Sequence, residues 1–295
     1  MNNPLVSIAV ITYNSARTII ETLESVSNQT YQNIELIISD DCSTDDTIDI
    51  CQNWLSYNSN RFVRVEFVSA NKNTGVSANY NRAEAACQGE WVKCIAGDDI
   101  LMPNCIQDCM DYVTEYPDTI YLFGRCQVFG GTKEMQEQVE SQFRYDFFEL
   151  PLDQQYKWLI YEGNCLPATT AFFNRERVKA TGVKNDERIP LLEDWPKWIN
   201  ILNAGVRFAF IDKVTVKYRI SEGALSTNFN SFSDAYLKSV ALCYLYYRYP
   251  VFRKDHYDWR TTYYRYLRAR KTISKHKFIW GIICKAYKIV IMHRL

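Results

Sequence analysis

The chain has 295 residues, of which 47% are hydrophobic and only 11 are glycine and 8 proline. A chain of this length and composition buries a sizeable core and is neither disordered nor fibrous. Its 34 basic and 34 acidic side chains cancel, which at first argues against charged partners. The cancellation is uneven, because residues 1–247 hold 21 basic and 32 acidic side chains (net −11) and residues 248–295 hold 13 and 2 (net +11). The sequence therefore predicts an acidic body and a basic tail.

The ten cysteines raise the alternatives of an oxidised secreted scaffold or a zinc site. However, no C-x-x-C motif is present, and the three histidines, His256, His276 and His293, all lie in the tail. This pattern favours buried, reduced thiols in a cytosolic protein. The N-terminal residues lack the basic region of a signal peptide, and no apolar stretch reaches the roughly 18 residues of a transmembrane helix. We therefore expect a cytoplasmic protein.

Apolar, β-branched runs alternate with helical periodicity over the first third of the chain. They predict strands at 5–11, 34–39, 61–68 and 90–96. Between these strands we expect a helix through Ile19 to Val26, a second capped by Ser43 or Thr44, and a third over 75–87. Strands and helices that alternate at this spacing form βαβ units. The sequence thus predicts an α/β fold with a mostly parallel sheet and helices on both faces.

The rest of the chain has a mixed order of elements. A helix is expected to start at Pro103, and strands are predicted at 120–129, 168–173 and 207–220, with a helix at 195–202 before the last. Residues 130–160 show no clear period and predict a loop with a short helix. From about Phe232 the pattern is helical, aromatic and basic. We place a boundary at 225, which divides the chain into an α/β domain, 1–225, and a helical extension, 226–295.

Polar residues follow three of the predicted strands. The groups are Thr12-Tyr13-Asn14, Asp40-Asp41 and Asp98-Asp99. In open α/β sheets, ligands bind beyond the carboxyl ends of the strands. Carboxylates there suit Mg²⁺ or Mn²⁺ carrying a phosphorylated ligand. A helix cap or solvated turn is the alternative for any acid pair, and it is favoured for Asp45-Asp46 but not for Asp98-Asp99, which directly follow an apolar run.

Several nucleotide-binding and hydrolytic signatures are absent from the chain. It contains neither G-x-x-x-x-G-K-[ST] nor G-x-G-x-x-G, which argues against P-loop NTPases and ordinary dinucleotide-binding dehydrogenases. The lack of G-x-S-x-G argues against the common α/β hydrolases.

Five sequence blocks together carry a family resemblance. The first is VSIAVITYNSARTIIETLESVSNQTYQNIELIISDDCSTDDT, followed by NKNTGVSANYNRA (71–83), GEWVKCIAGDDIL (89–101), LLEDWPKWINILNAG (191–205) and VTVKYRISEGALS (214–226). In this order they resemble family 2 glycosyltransferases, inverting enzymes of the GT-A fold that use nucleotide-diphosphate sugars. The resemblance spans roughly residues 5–226.

The resemblance implies a role for each matching residue. Those at the nucleotide would be Thr12, Tyr13, Asn14, Asp41 and Asp98, with Asp41 on the base and Asp98 near the ribose. Asp98 and Asp99 match the acidic metal motif for Mn²⁺ or Mg²⁺, with Asp99 as the ligand at the diphosphate. Asp194 matches the catalytic base. A base opposite the leaving group is also what inversion requires chemically.

Some of these residues have an alternative structural role, and some positions of the sequence depart from the family's pattern. Glu193-Asp194 also suits a helix N-terminus, and Trp195 suits either a sugar face or the core. Ala96-Gly97 replace an acid of the family's metal motif, and Ser221 stands where the family often has a histidine. Arg219, Lys217 or a water would then assist the phosphates. Tyr80 stands where an arginine is common, so that Lys72 or Arg82 would substitute.

The tail interleaves basic and large apolar residues over 260–295. Its helically spaced apolar residues are Phe278, Ile279, Ile282, Ile283, Ala286, Ile289 and Val290, with Lys275, Lys277, Lys285 and Lys288 nearby. Interfacial helices that bind anionic membranes have this pattern, and the run is too short to span a bilayer. A helical pair that packs on the domain or on a second subunit in a homo-oligomer is the alternative. Nothing else in the sequence predicts a nucleic-acid partner.

The expected function is a metal-dependent inverting glycosyltransferase of bacterial surface-polysaccharide synthesis. Its donor would be a UDP-hexose or UDP-N-acetylhexosamine and its acceptor a glycan or lipid-linked hydroxyl, at the inner membrane face. Loops near 125–165 would set the acceptor. A non-catalytic nucleotide-sugar-binding subunit that recruits a partner through its tail is the alternative, because the metal motif is short and lacks the histidine.

Overall fold

The computed structural model describes residues 3–220, 233–255 and 259–288. The strands are β1 (Val6–Thr12), β2 (Ile34–Asp40), β3 (Arg64–Ser69), β4 (Trp91–Ala96), β5 (Ile100–Leu101), β6 (Tyr121–Gly130), β7 (Phe172–Asn174) and β8 (Phe208–Ile220). The helices are α1 (Ile19–Ser27), α2 (Thr47–Asn58), α3 (Val76–Ala86), α4 (Cys105–Glu115), α5 (Lys133–Glu140), α6 (Leu152–Tyr161), α7 (Arg175–Ala180), α8 (Asp194–Asn203), α9 (Asp234–Cys243), α10 (Tyr249–Lys254), α11 (Trp259–Ile273) and α12 (Lys277–Tyr287).

The strands form one sheet in the order β3-β2-β1-β4-β7-β6-β8-β5. Strands β1 to β4 are parallel, as predicted, whereas β7 runs antiparallel to both β4 and β6. Thr12 pairs with Asp40, and Ile11 pairs with Ala96. This register brings the carboxyl ends of β1, β2 and β4 together at one edge of the sheet.

Both faces of the sheet are covered, which explains the continuous apolar runs of β1 and β2. Every residue of these two strands is buried. Ile8 and Val10 pack on one face with helices α1, α2 and α4, and Ala9 packs on the other face in the cluster that includes Trp198 of α8. Burying one such aliphatic side chain contributes roughly 1.5–3 kcal/mol. The site therefore rests on a rigid double-faced core.

Two predicted starts of elements are wrong. Strand β3 begins at Arg64 rather than at residue 61, because residues 59–61 form a 3₁₀ turn. The Arg61 guanidinium of this turn donates to four carbonyl oxygens, at Ser27, Gln29, Tyr31 and Gln32. Neither Ser43 nor Thr44 caps α2, which begins at Thr47. The backbone N–H of Ser43 instead donates to Asp40 at the end of β2 (2.8 Å).

The mixed region contains more helix than the sequence indicated. Residues 130–160 hold α5, a 3₁₀ turn at 145–149 and α6, where one short helix was expected. The strand predicted at 168–173 is a 3₁₀ turn followed by the three-residue β7, and α7 was not predicted. Strand β7 has three residues and α7 has six, too few to show a hydrophobic period.

The described residues after β8 are mainly helical, as expected. Helix α12 packs on α11, which in turn contacts α9. The boundary at 225, together with Ser221, Ile289 and Val290, lies outside the described residues. No described helix combines the length and hydropathy needed to cross a bilayer. All ten cysteines are free thiols, and all except the half-buried Cys42 are buried, as predicted.

Candidate active site

Thr12 is part of the structure beneath the site rather than an open ligand. It is 2% exposed, and its hydroxyl donates to the Asp40 carboxylate (2.8 Å). Its carbonyl oxygen accepts from the Asp41 N–H (3.0 Å) and from the Asn79 side-chain amide (3.1 Å). These bonds fix the ends of β1 and β2 relative to α3.

Tyr13 and Asn14 form a tight turn after β1. Asn14 has a φ of 52°, a left-handed conformation that asparagine adopts more readily than most residues. Its N–H donates to the Ser43 hydroxyl (2.8 Å), and its side-chain oxygen accepts from the Thr44 N–H (2.8 Å). The turn leaves the Tyr13 ring 46% exposed at the sheet edge. Such a ring can stack on a planar ligand.

The Asp41 carboxylate is fully occupied by protein donors. One oxygen accepts from the Thr74 hydroxyl (2.5 Å) and Arg82 (3.0 Å), and the other accepts from the N–H groups of Thr74 (2.9 Å) and Gly75 (2.7 Å). A carboxylate offers about four acceptor positions. Asp41 therefore anchors the turn before α3, and a base could bind it only by displacing one of these donors. Gly75 is required in this turn, because its φ is 90° and a Cβ would meet Pro190 at 2.7 Å.

The two proposed substitutes for the missing arginine differ in their surroundings. Arg82 is engaged by the protein, since its guanidinium also donates to Asn79 (2.8 Å) and Ser39 (3.2 Å). Lys72 is exposed on the loop before α3. Of the two, Lys72 is the cation with freedom to reach a ligand.

Asp98 and Asp99, at the end of β4, have different environments. Asp99 is 1% exposed, and its two oxygens accept from the Thr169 hydroxyl (2.6 Å) and the Arg219 N–H (2.9 Å). Burial raises the pKa of Asp99 to about 8, and the neighbouring Asp98 carboxylate adds to this shift. Asp98 is only half-buried, and among the described residues no other residue donates to its carboxylate. Asp98 is thus the member of the pair with open acceptor positions.

A cation lies beside this pair. The Arg219 guanidinium donates to the Asp98 carbonyl oxygen (2.7 Å) and to the Glu21 carboxylate (2.7 Å), and it lies over the Phe129 ring at 4.5 Å. Arg219 lies on strand β8. Lys217, on the same strand, pairs through its backbone with Ile100 of β5. Arg219 is therefore the better placed of the two cations that the sequence suggested.

Lys93 is a buried residue whose role the sequence did not indicate. Its ammonium is fully buried in the middle of β4 and donates to the Thr169 carbonyl oxygen (2.5 Å). The Thr169 hydroxyl in turn donates to Asp99. A series of hydrogen bonds thus joins Lys93 through Thr169 to Asp99 and fixes the position of that carboxylate. A lysine inside the apolar run WVKCI was the available signal.

Glu193 and Asp194 lie at the start of α8, as predicted. The Asp194 carboxylate accepts from the Asn164 side-chain amide (2.6 Å) and from the Trp195 N–H (2.6 Å). Burial raises the pKa of Asp194. Burial, and then the charge of Asp194, raises the pKa of Glu193 to about 8. Asp194 is therefore the acid of this pair whose two oxygens the protein holds, and Asn164 is a contact that the sequence did not reveal.

Tyr80 lies beside the acid pair of α8. With Glu193 and Asp194 it lines a small cavity of about 20 Å³, whose wall also includes Ala168. Thr169, next to Ala168, donates to Asp99 (2.6 Å). Burial raises the pKa of Tyr80 well above its usual value, and the charges of Glu193, Asp99 and Asp194 contribute in the same direction. The fold thus brings the acids of β4 and α8 to one region.

Trp195 belongs to the packing around the site. Its indole N–H donates to the Leu159 carbonyl oxygen (2.9 Å), and the Arg248 guanidinium lies over its ring at 4.9 Å. These contacts favour the core interpretation of this residue over a free sugar platform.

The residues fit a metal held mainly by its substrate. Among the described residues no group of three or more acidic, histidine or cysteine side chains could hold an ion. Magnesium and manganese are commonly bound by one or two carboxylates together with substrate phosphates. The open carboxylate of Asp98 at the sheet edge satisfies that requirement.

Sequence comparisons place the chain among known proteins. The model of the family described as glycosyl transferase family 2 matches residues 7–180. The UDP-Glc:alpha-D-GlcNAc-diphosphoundecaprenol beta-1,3-glucosyltransferase WfaP of Escherichia coli is 30% identical over 227 residues, 76% of this chain and 80% of that protein. The putative teichuronic acid biosynthesis glycosyltransferase TuaG of Bacillus subtilis is 25% identical over 76% of this chain and 82% of its own.

Solved structures share the fold. TarS 1-349 of S. aureus in complex with UDP-GlcNAc matches with a TM-score of 0.64 at 18% identity, covering 92% of this chain and 73% of that one. The mannosyltransferase PcManGT of Pyrobaculum calidifontis, in complex with GDP-Man and Mn²⁺, matches with a TM-score of 0.58 at 15% identity, covering 100% and 83%. The predicted GT-A architecture is confirmed. The chain belongs to glycosyl transferase family 2 and is a nucleotide-sugar-dependent glycosyltransferase.

Proposed function

We propose that this enzyme transfers a sugar, with inversion and with the help of Mn²⁺ or Mg²⁺, from a nucleotide diphosphate to an acceptor hydroxyl. The observation that supports the proposal is the closeness of the two acid pairs: Glu193 and Asp194 line a small cavity together with Ala168, and the adjoining Thr169 donates to Asp99 (2.6 Å). One acid pair then faces the donor diphosphate and the other faces the acceptor.

On the donor side, we assign the metal contact to Asp98. Its carboxylate is half-buried and open, whereas both oxygens of Asp99 accept protein hydrogen bonds. Asp99 then acts as the support for Asp98 rather than as the first ligand. A bound divalent ion would neutralise the charge that develops on the leaving diphosphate. The Arg219 guanidinium adjoins the same site and adds positive charge to it.

The nucleotide would lie along the edge formed by β1 and β2. Tyr13 offers an exposed ring for stacking, and the turn of Asn14 holds that ring in place. Thr12 and Asp41 shape this edge through their bonds to the protein. Lys72 is the exposed cation on the adjoining loop.

On the acceptor side, we assign the base to Asp194. Its carboxylate takes the proton of the attacking hydroxyl while the new bond to the sugar forms and the bond to the diphosphate breaks. Asn164 and the Trp195 N–H each hold one oxygen, and each oxygen keeps a second lone pair for that proton. Glu193, with its pKa at about 8, stays protonated at neutral pH and does not compete.

The substrates we propose are a UDP-hexose or UDP-N-acetylhexosamine and a glycan or lipid-linked hydroxyl in surface-polysaccharide synthesis. The name of the WfaP relative, a UDP-Glc enzyme acting on a diphosphoundecaprenol-linked sugar, supports this choice. A lipid-linked acceptor would place the enzyme in the cytoplasm at the inner face of the membrane.

A panel of nucleotide sugars with and without Mn²⁺, followed by NMR of the product anomer, tests the proposal. We expect turnover of a UDP-sugar, a product with inverted configuration and loss of turnover with EDTA. A product with retained configuration would contradict the role of Asp194.

The alternative of a non-catalytic subunit, which the sequence left open, is not supported. The chain belongs to glycosyl transferase family 2, and relatives that match most of its length are named as glycosyltransferases.

A further inference from the structure

Within the described part of the chain, helix α12 packs on α11 and buries one side against it. Cys284 is 7% exposed, and Trp280 and Tyr287 are half-buried on that side, with Trp280 over Arg270 and Tyr287 beside Tyr263. The outward side carries four exposed apolar residues: Phe278 (81%), Ile279 (55%), Ile282 (55%) and Ile283 (39%). Residues four apart lie one above the other on a helix, so these four form two adjacent rows. They are called the α12 surface below.

Positive charge surrounds the α12 surface. Lys275, Lys285 and Lys288 are exposed beside it, and α11 exposes four further cations, Arg265, Arg268, Arg270 and Lys271. No aspartate or glutamate occurs in residues 259–295. The acid that reaches this helix from α9 is Asp234, which pairs with Lys277 (3.0 Å). The surface therefore combines exposed apolar area with a strong excess of cations.

We propose that the α12 surface docks on an anionic lipid bilayer, with its apolar rows in the interface and its lysines on the lipid headgroups. An apolar helix face flanked by lysines is the arrangement that binds such interfaces. With 11 residues, α12 is too short to cross the hydrocarbon layer, so it lies along the surface.

Charge disfavours a second copy of the chain as the occupant. A twofold interface brings the same patch of both subunits together. It would set the lysines beside the α12 surface against their own copies, with no acid from residues 259–295 to compensate. Anionic headgroups supply the missing negative charge.

Flotation of the full-length chain with vesicles tests the proposal. The vesicles are phosphatidylcholine alone or phosphatidylcholine with phosphatidylglycerol. We expect binding to the anionic vesicles, and a loss of about tenfold or more in the Phe278→Ser/Ile282→Ser variant. Tyr57→Ser/Val63→Ser is the matched control, because these residues are 80% and 65% exposed at the end of α2 and before β3. This control should bind like the wild type.

A second variant tests the charge. Lys285→Glu/Lys288→Glu should also lose about tenfold or more in affinity for anionic vesicles, because each cation near the surface contributes to binding. Circular dichroism of each variant checks the fold. Turnover of donor with a water-soluble acceptor, measured in parallel, should not change, which separates failure of docking from failure of the proposed catalysis.

Two results would overturn the proposal. One is equal binding of the wild type and both tail variants to anionic vesicles. The other is a dimer that Phe278→Ser/Ile282→Ser dissociates, without vesicle binding by the wild type, since this would assign the surface to a second copy.

Discussion

The two acid pairs of the site are alike in sequence but differ in what the protein does with each member. At the end of β4 the protein binds the second acid, Asp99, on both oxygens and leaves Asp98 open. At the start of α8 it also binds the second acid, Asp194, whereas no other residue in the described part of the chain donates to the half-buried Glu193 carboxylate. A metal ligand needs open lone pairs, whereas a base needs a fixed orientation. The comparison therefore assigns metal binding to Asp98, the open member of the first pair. It assigns the role of base to Asp194, the oriented member of the second pair.

The largest expected effect comes from the α8 pair. Asp194→Asn should lower kcat by about 10²–10⁴-fold, because the amide cannot take the hydroxyl proton. Donor affinity should stay near the wild-type value. Initial-rate kinetics at saturating UDP-sugar and a donor titration measure both quantities.

Glu193→Gln is the matched control for this change. It should lower kcat far less, since Glu193 is already protonated at neutral pH. Equal losses in the two variants would remove the distinction between the members of the pair.

Asn164→Ala should have the next largest effect, about tenfold on kcat. The Asn164 amide bonds to the Asp194 carboxylate and lowers its pKa against the effect of burial. Its removal raises that pKa, so the acidic limb of the pH profile of kcat should move to higher pH. A lower rate with an unmoved acidic limb would show that Asn164 acts only through packing.

Stability separates the members of the β4 pair. Asp99→Ala should lower the free energy of unfolding by about 1–3 kcal/mol, because it leaves the Thr169 hydroxyl and the Arg219 N–H without their partner. Asp98→Ala should cost far less stability, since no other described residue donates to that carboxylate. Urea denaturation of both variants checks the difference, and a larger loss in Asp98→Ala would reverse our assignment.

The last expected effect is a pH dependence of stability. The pKa of Glu193 is about 8 in the folded state, whereas the usual value for a glutamate is 4.5. Between these two pH values the unfolded chain has therefore lost a proton that the folded chain keeps. This group therefore lowers stability as pH rises through that window. Glu193→Gln should flatten the decline, and the exposed Glu149→Gln should not. Thermal unfolding at about pH 5 and about pH 8, near the two ends of this window, measures the decline.

The first half of the fold could be predicted because its central strands, β1, β2 and β4, are buried on both faces. Every residue of β1 is buried, and the apolar run in the sequence reports this directly. The three-residue β7 and six-residue α7 give no such signal, since a hydrophobic period needs more residues.

The acids of the site could be named from the sequence, but the difference between neighbours could not. Asp99 is bound by Thr169 and Arg219, which are 70 and 120 residues away along the chain. Asn164 reaches Asp194 from 30 residues away. Contacts at such separations depend on the packing of β7, β8 and α8, which local patterns do not encode.

Binding of Mn²⁺ in the presence of UDP, followed by electron paramagnetic resonance, tests the assignment within the β4 pair most directly. The wild type and the Asp99→Asn variant should bind the ion with affinities within a few-fold of each other. Asp98→Asn should lose about tenfold or more, because it removes the open carboxylate. Retained binding in Asp98→Asn together with loss in Asp99→Asn would contradict the account.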